Sequence, residues 1–181
     1  VAEEAVEQLE RVVEDIVDFG DVHNRSMDFE PVPVVEICQN AIQALNGPAS
    51  RRGVTVRMSV PLELPPVRAD SVALTRVVRH LLDNAVKFSP ANSLVQVLAE
   101  KRGNRVRIAV KDQGPGIAPN EHDRIFRAFY QSDGSSTRRH GGMGLGLALV
   151  SRLLEAHSTH VYLESDVGQG STFYFELPIM E

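Results

Sequence analysis

"LVQVLAEKRGNRVRIAVK", residues 94–111, holds two runs of alternating apolar and polar residues, Leu94 to Glu100 and Arg105 to Lys111, on either side of Gly103-Asn104. Alternation at period two marks strands with one buried face, and a short Gly-Asn turn between them predicts an antiparallel hairpin. The pattern recurs near the C-terminus, where "HVYLESD" and "GSTFYFELP" flank Gly168-Gln169-Gly170. Three segments of helical period are interleaved with these hairpins: "VVEICQNAIQAL", residues 71–88, and "LGLALVSRLLEAH". Hairpins among helices, without strict strand-helix alternation, predict an α+β fold: a two-layer α/β sandwich with a mostly antiparallel sheet and three helices on one face.

Outward from this frame, "GVTVRMSV" turns Val54, Val56, Met58 and Val60 to one face of a strand, and Asp70 or Ser71 is placed to cap the helix of residues 71–88. "SMDFEPVPV" reads as a short extended piece, and the helix after it is expected to end at Asn46, Gly47 and Pro48. Residues 112–119 read as loop, Glu121 to Ala128 as a short helix, and "QSDGSSTRRHGG" as a long mobile loop. At the N-terminus, Val6, Leu9, Val13 and Ile16 follow heptad spacing in a coiled-coil-like helix that Gly20 is expected to end. Packing against a second chain and docking on its own domain both satisfy that seam.

The 181 residues, 43% hydrophobic, suffice for a real core. No apolar run approaches the roughly 20 residues of a membrane helix, so no membrane contact is expected from this piece. The chain opens on Val rather than Met and is read as part of a longer protein, whose anchoring is left open. The lone Cys38 excludes an internal disulfide and fits a reducing, cytoplasmic setting. Residues 1–30 carry ten acids and two Arg, leaving fourteen acids and seventeen bases in the remainder. That excess suits a body able to hold an anion and is too small to argue for nucleic acid.

Three stretches carry chemistry. In "HLLDNAVKFSP", residues 80–90, His80, Asn84 and Lys87 fall within roughly 60° of one another at about 100° per residue, beside the apolar stripe. "DQGPG", residues 112–116, ends a strand in an acid followed by alternate glycines: a turn, or a place where a flat ring approaches the backbone while Asp112 accepts from an amine. "HGGMGLGLALV" sets Gly141, Gly142, Gly144 and Gly146 ahead of a helix, where unpaired N–H groups hold phosphate, with Arg138, Arg139 and His140 upstream. Asn84 could then offer an oxygen to Mg²⁺, which keeps waters and shares phosphate ligands, and Lys87 could pair with phosphate.

The order "HLLDNAVKFSP", "DQGPGI", "IFRAFYQ", "GGMGLGLALV", "GQGSTFYFELP" resembles the catalytic ATP-binding domain of bacterial sensor histidine kinases, within the superfamily that includes gyrase and the MutL ATPases. The resemblance implies a mixed sheet packed under three helices, and two domains: residues 1–24 as the end of the second helix of a dimerisation and phosphotransfer hairpin, and 25–181 as the catalytic domain. It implies Asn84 as magnesium ligand, Lys87 as phosphate contact and Phe88 as a wall of the adenine pocket. Asp112 would bind the adenine amine, with Gly114, Gly116 and Ile117 shaping the pocket. Phe126 and Phe129 resemble aromatic residues flanking a lid of residues 131–143, for which core packing is an equal reading. Arg138, Arg139, Gly142, Met143, Gly144, Leu145, Gly146 and Leu147 would belong to the ATP-binding set, and Thr172 resembles a hydroxyl near adenine.

The implied activity is transfer of the γ-phosphoryl group of Mg-ATP to a histidine of a dimerisation helix, with a response regulator and a second protomer as partners. None of the six His residues stands in the acceptor context of that family. His80 replaces a frequent Asn, at the position where the ATPase branch carries a water-activating Glu; a phosphate or supporting hydrogen bond is the favoured role, with base chemistry as the other. Two rival functions follow from the same residues: a gyrase-like ATPase driving conformational change, and a non-catalytic nucleotide-binding scaffold.

Overall fold

The computed structural model describes residues 26–131 and 144–180, together with positions 6, 9, 13, 16, 17 and 20 of an N-terminal helix. Gly20 is itself helical. The remaining elements are β1 (Glu30–Val32), α1 (Val34–Arg52), β2 (Thr55–Ser59), β3 (Val67–Ala69), α2 (Ser71–Phe88), β4 (Leu94–Arg102), β5 (Arg105–Lys111), α3 (Gly146–Ala156), β6 (Tyr162–Ser165) and β7 (Ser171–Pro178).

Five strands form one sheet in the order β2-β4-β5-β7-β6, in which only β2 and β4 run parallel; β1 and β3 pair separately. The β4–β5 register brings Arg102 opposite Arg105 across the Gly103-Asn104 turn, with Gly103 at φ +60°. Along β7, Ser171, Phe173, Phe175 and Leu177 are buried while Thr172, Tyr174 and Glu176 lie on the other face. The helices cover the first face, and Leu74, Leu81, Leu82, Ile108, Leu149, Leu154, Phe175 and Leu177 fill the space between layers. Each such side chain contributes roughly 1.5–3 kcal/mol through removal from water, which is why the layers stay closed.

The Asp70 carboxylate accepts from the Ala73 N–H (2.9 Å), satisfying an orphan donor of the first turn, so α2 begins where its cap stands. In contrast, α1 runs through Gly47 and Pro48 to Arg52 and stops at Gly53 in the left-handed region (φ +66°). Leu45 and Ala49, both buried, straddle the proline; their packing outweighs the hydrogen bond that Pro48 cannot donate. The expected helix of residues 121–128 is a 3₁₀ turn, Pro119–Glu121, followed by turns in which Glu121 O accepts from both Arg124 and Ile125 N–H. Its shape follows its anchors, Ile125 and Phe126, which pack against the core.

Candidate functional site

Among the polar residues of α2, His80 is buried and Asn84 and Lys87 are half-buried. Burial, then Arg79, then Arg76, pull the His80 pKa down to about 4. The ring is therefore neutral at pH 7, which fits a hydrogen-bonding role and not that of a base poised near neutrality. The sign for stability follows. An unfolded His80 takes up its proton near pH 6.5 and a folded one only near 4, so stability is complete above pH 6.5 and falls as pH drops, by on the order of 3 kcal/mol below pH 4. His80→Asn should flatten that part of the urea-unfolding profile between pH 7 and 4; an unchanged slope would show that His80 does not set it.

Asp112 is 7% exposed and stands where β5 ends. One oxygen, Oδ1, accepts from the Gly114 N–H (2.8 Å) and the Ser171 N–H (3.1 Å). Burial raises its pKa, and these two donors pull the other way. A Cβ on Gly114 would lie 3.0 Å from Asp112 Oδ1 and 3.1 Å from Phe88 O, tighter than ordinary contact, so the loop sits against the end of α2. A hydroxyl relay supports the same corner: Ile117 N–H donates to Ser165 Oγ (2.9 Å), Ser165 donates to Gly170 O (2.9 Å), and Ser171 Oγ lies 2.9 Å from Ser165 Oγ.

The third segment arrives at the start of α3. Gly144 (φ +70°) accepts from the Phe129 N–H at 3.0 Å, and a Cβ on Gly146 would lie 3.4 Å from His80 Nδ1. His80 and Phe88 are each four residues from Asn84, about 6 Å of helix rise. Asn84 thus sits between the α2 residue that meets the Asp112 loop and the one that meets the α3 glycine.

Sequence and geometry diverge at several positions. Thr172 lies on the far face of β7, opposite Lys111 and Glu164; Ser171 is the residue beside Asp112. The alternation of Phe173, Phe175 and Leu177 could have placed Ser171 on the inner face. Phe126 packs edge-on against Phe173, with ring centroids 6.2 Å apart, while Phe129 is 67% exposed at φ +64°. The two aromatic residues are therefore not a pair. Leu145 is buried and Leu147 packs against the core, both by side chain. Lys87 Nζ lies 5.2 Å from the Phe88 ring centroid. Arg138, Arg139, Gly142 and Met143 lie outside the described residues. A groove of about 610 Å³ beside residues 113–115 shares Phe88 and Gly114 with this site, but neither Asn84 nor Asp112 lines it. Among the described residues no three His, Cys, Asp or Glu side chains cluster as a metal cage, and no helix is long and apolar enough to cross a membrane.

An amide-bearing helix edge, a carboxylate with one uncommitted lobe and glycines opening a helix, over a mixed sheet, define a nucleotide-binding ATPase domain. Residues 69–181 match the family of histidine kinase-, DNA gyrase B- and HSP90-like ATPases, and the chain belongs to that family. It is 30% identical over 174 residues to the adaptive-response sensory kinase SasA of Synechocystis sp., covering 94% of this chain and 45% of that protein. It is 36% identical over 149 residues to the sensor-like histidine kinase SenX3 of Mycobacterium tuberculosis, covering 82% of this chain and 36% of that one. The crystal structure of full-length ShkA in complex with AMPPNP superposes with a TM-score of 0.84 at 33% identity, over 97% of this chain and 37% of ShkA. The chain thus spans less than half the length of these relatives.

Proposed function

We propose that this domain binds Mg-ATP and passes its γ-phosphoryl group to a histidine on a dimerisation helix, with a response regulator as the next acceptor. The observation that carries the reading is that α2 meets the Asp112 loop at Phe88 and the α3 glycine at His80, one helical turn to either side of Asn84. In this reading Asp112 Oδ2, the oxygen not engaged by Gly114 and Ser171, accepts from the adenine amine, and Phe88 walls the ring. The N–H groups opening α3 hold phosphate oxygens, and Lys87 adds a cation. The Asn84 amide oxygen would hold Mg²⁺, which supplies neutralisation of phosphate charge. His80 supports the phosphate end as a neutral hydrogen-bonding ring. The carboxylate that would activate water is absent from its position, which favours transfer over hydrolysis.

The N-terminal helix is read as one strand of a helical dimer interface. Val6, Leu9, Val13 and Ile16 are 55%, 66%, 52% and 49% exposed at heptad spacing. A calorimetric titration with AMPPNP should show one site per chain, dependent on magnesium. Incubation with Mg-ATP and a helical hairpin bearing the acceptor His should yield acid-labile phosphohistidine, and Asn84→Ala should prevent it. Steady phosphate release without an acceptor would favour the ATPase reading, and binding without transfer the scaffold.

A further inference from the structure

α2 and α3 pack antiparallel, and two contacts fix how far one slides along the other. At one end Gly146 meets His80. At the other, the Asp70 N–H donates to Nε2 of His157 (3.1 Å), and His157 Nδ1 lies 2.7 Å from Leu153 O. Because Nε2 accepts, the proton sits on Nδ1, which donates to Leu153 O and so caps the last turn of α3. His157 is 4% exposed and Asp70 2%.

Asp70 links a third element. While its Oδ1 starts α2, its Oδ2 accepts from the Asp28 N–H at 3.1 Å, 42 residues away. Asp28 belongs to the segment between the N-terminal helix and β1. Beside it Phe29 stands edge-on to the His157 ring, with centroids 5.3 Å apart, and the Arg68 guanidinium lies 4.1 Å over the Phe29 ring.

We propose that His157 and Asp70 are positioning residues that set the register of α3 against α2 and tie the incoming chain segment to both. A longitudinal shift at the His157 end is transmitted along the rigid eleven-residue α3 to Gly144 and Gly146. It would therefore move the phosphate-facing amides relative to Asn84. The inference rests on the proposed nucleotide site for its functional consequence, but its geometry can be tested without nucleotide.

His157→Leu keeps apolar volume and leaves the buried Asp70 N–H without an acceptor, whereas His157→Gln can offer an oxygen where Nε2 stood. In the folded protein, His157→Leu should weaken AMPPNP binding about 10- to 100-fold, as loss of supporting partners around a site commonly does, and His157→Gln should recover most of it. Independently of nucleotide, ¹⁵N NMR should report the Nδ1–H tautomer of His157, and His157→Leu should shift the Gly146 amide resonance. Asp70→Asn keeps a capping oxygen but turns an amide donor toward Asp28, so amide exchange at residue 28 should accelerate. A lowered melting temperature in His157→Leu with AMPPNP affinity and the Gly146 resonance unchanged would overturn the proposal. If His157→Leu does not fold, an Nε2–H tautomer in the wild-type chain, or no faster exchange at residue 28 in Asp70→Asn, would overturn it too. A wild-type chain that binds no AMPPNP while the Gly146 shift is present would overturn the nucleotide reading and leave the positioning role standing.

Discussion

Asp112→Asn is expected to fold and to lose adenine nucleotide. Two buried N–H donors, those of Gly114 and Ser171, converge on one oxygen of Asp112. An amide replacing the carboxylate must keep its oxygen there, since turning its NH₂ inward would oppose donor to donor twice. The NH₂ is then forced to the position of Oδ2. In the proposed site it would meet the exocyclic amine of adenine with a donor where an acceptor is required. The cost should be about 3–4 kcal/mol of binding, or roughly 10²- to 10³-fold, with little loss of fold stability because the side chains are isosteric. A guanine nucleotide, which presents an oxygen at that position, should gain relative to adenine. Burial also raises the pKa of Asp112, so binding by the wild type should weaken as pH falls through that raised value, earlier than for an exposed carboxylate. Calorimetry with AMPPNP and its guanine counterpart decides the matter: an affinity change under about threefold would mean that Asp112 does not read the base.

Gly116→Ala should damage the fold itself. Gly116 lies at φ +71°, and a Cβ would stand 1.9 Å from Asp166 O and 2.7 Å from its carbonyl carbon, so the backbone of the β6–β7 turn must move. Left-handed strain of about 1–2 kcal/mol adds to the clash, and the total should reach on the order of 3 kcal/mol or more. Gly168 provides the control. It also lies at positive φ (+82°) with nothing within 4 Å of a Cβ, so Gly168→Ala carries the strain alone, about 1–2 kcal/mol. Urea midpoints for the two variants should differ clearly; equal midpoints would show that the approach of Asp166 is not what requires glycine. Displacing this turn also disturbs Gly170, whose Cβ would lie 2.2 Å from Asp112 O, so nucleotide binding should fall with stability in Gly116→Ala.

Where a local signal had no competitor, it was sufficient. Asp70 in front of an apolar period of 3.6 specified α2 over residues 71–88 because cap and stripe agree, and Gly103-Asn104 between alternating runs specified the β4–β5 hairpin. Where local and tertiary terms opposed each other, local reading failed. Gly47 and Pro48 are helix breakers by themselves, yet burial of Leu45 and Ala49 carries α1 past them. Residues 121–128 have helical composition but take their shape from anchors at Ile125 and Phe126.

By itself the sequence determined the layers and the residue chemistry available to a site: an amide and an amine on one helix edge, an acid ending a strand, and glycines opening a helix. Periodicity and residue chemistry are local properties, written in consecutive residues. Only the tertiary structure decided which groups meet. It set Ser171 rather than Thr172 on Asp112, left Phe129 exposed while Phe126 entered the core, made His80 neutral by burying it, and joined Asp28, Asp70 and His157 across 129 residues of chain. Those outcomes depend on strand register and on the sliding of one helix along another, which are fixed by packing between segments distant in sequence.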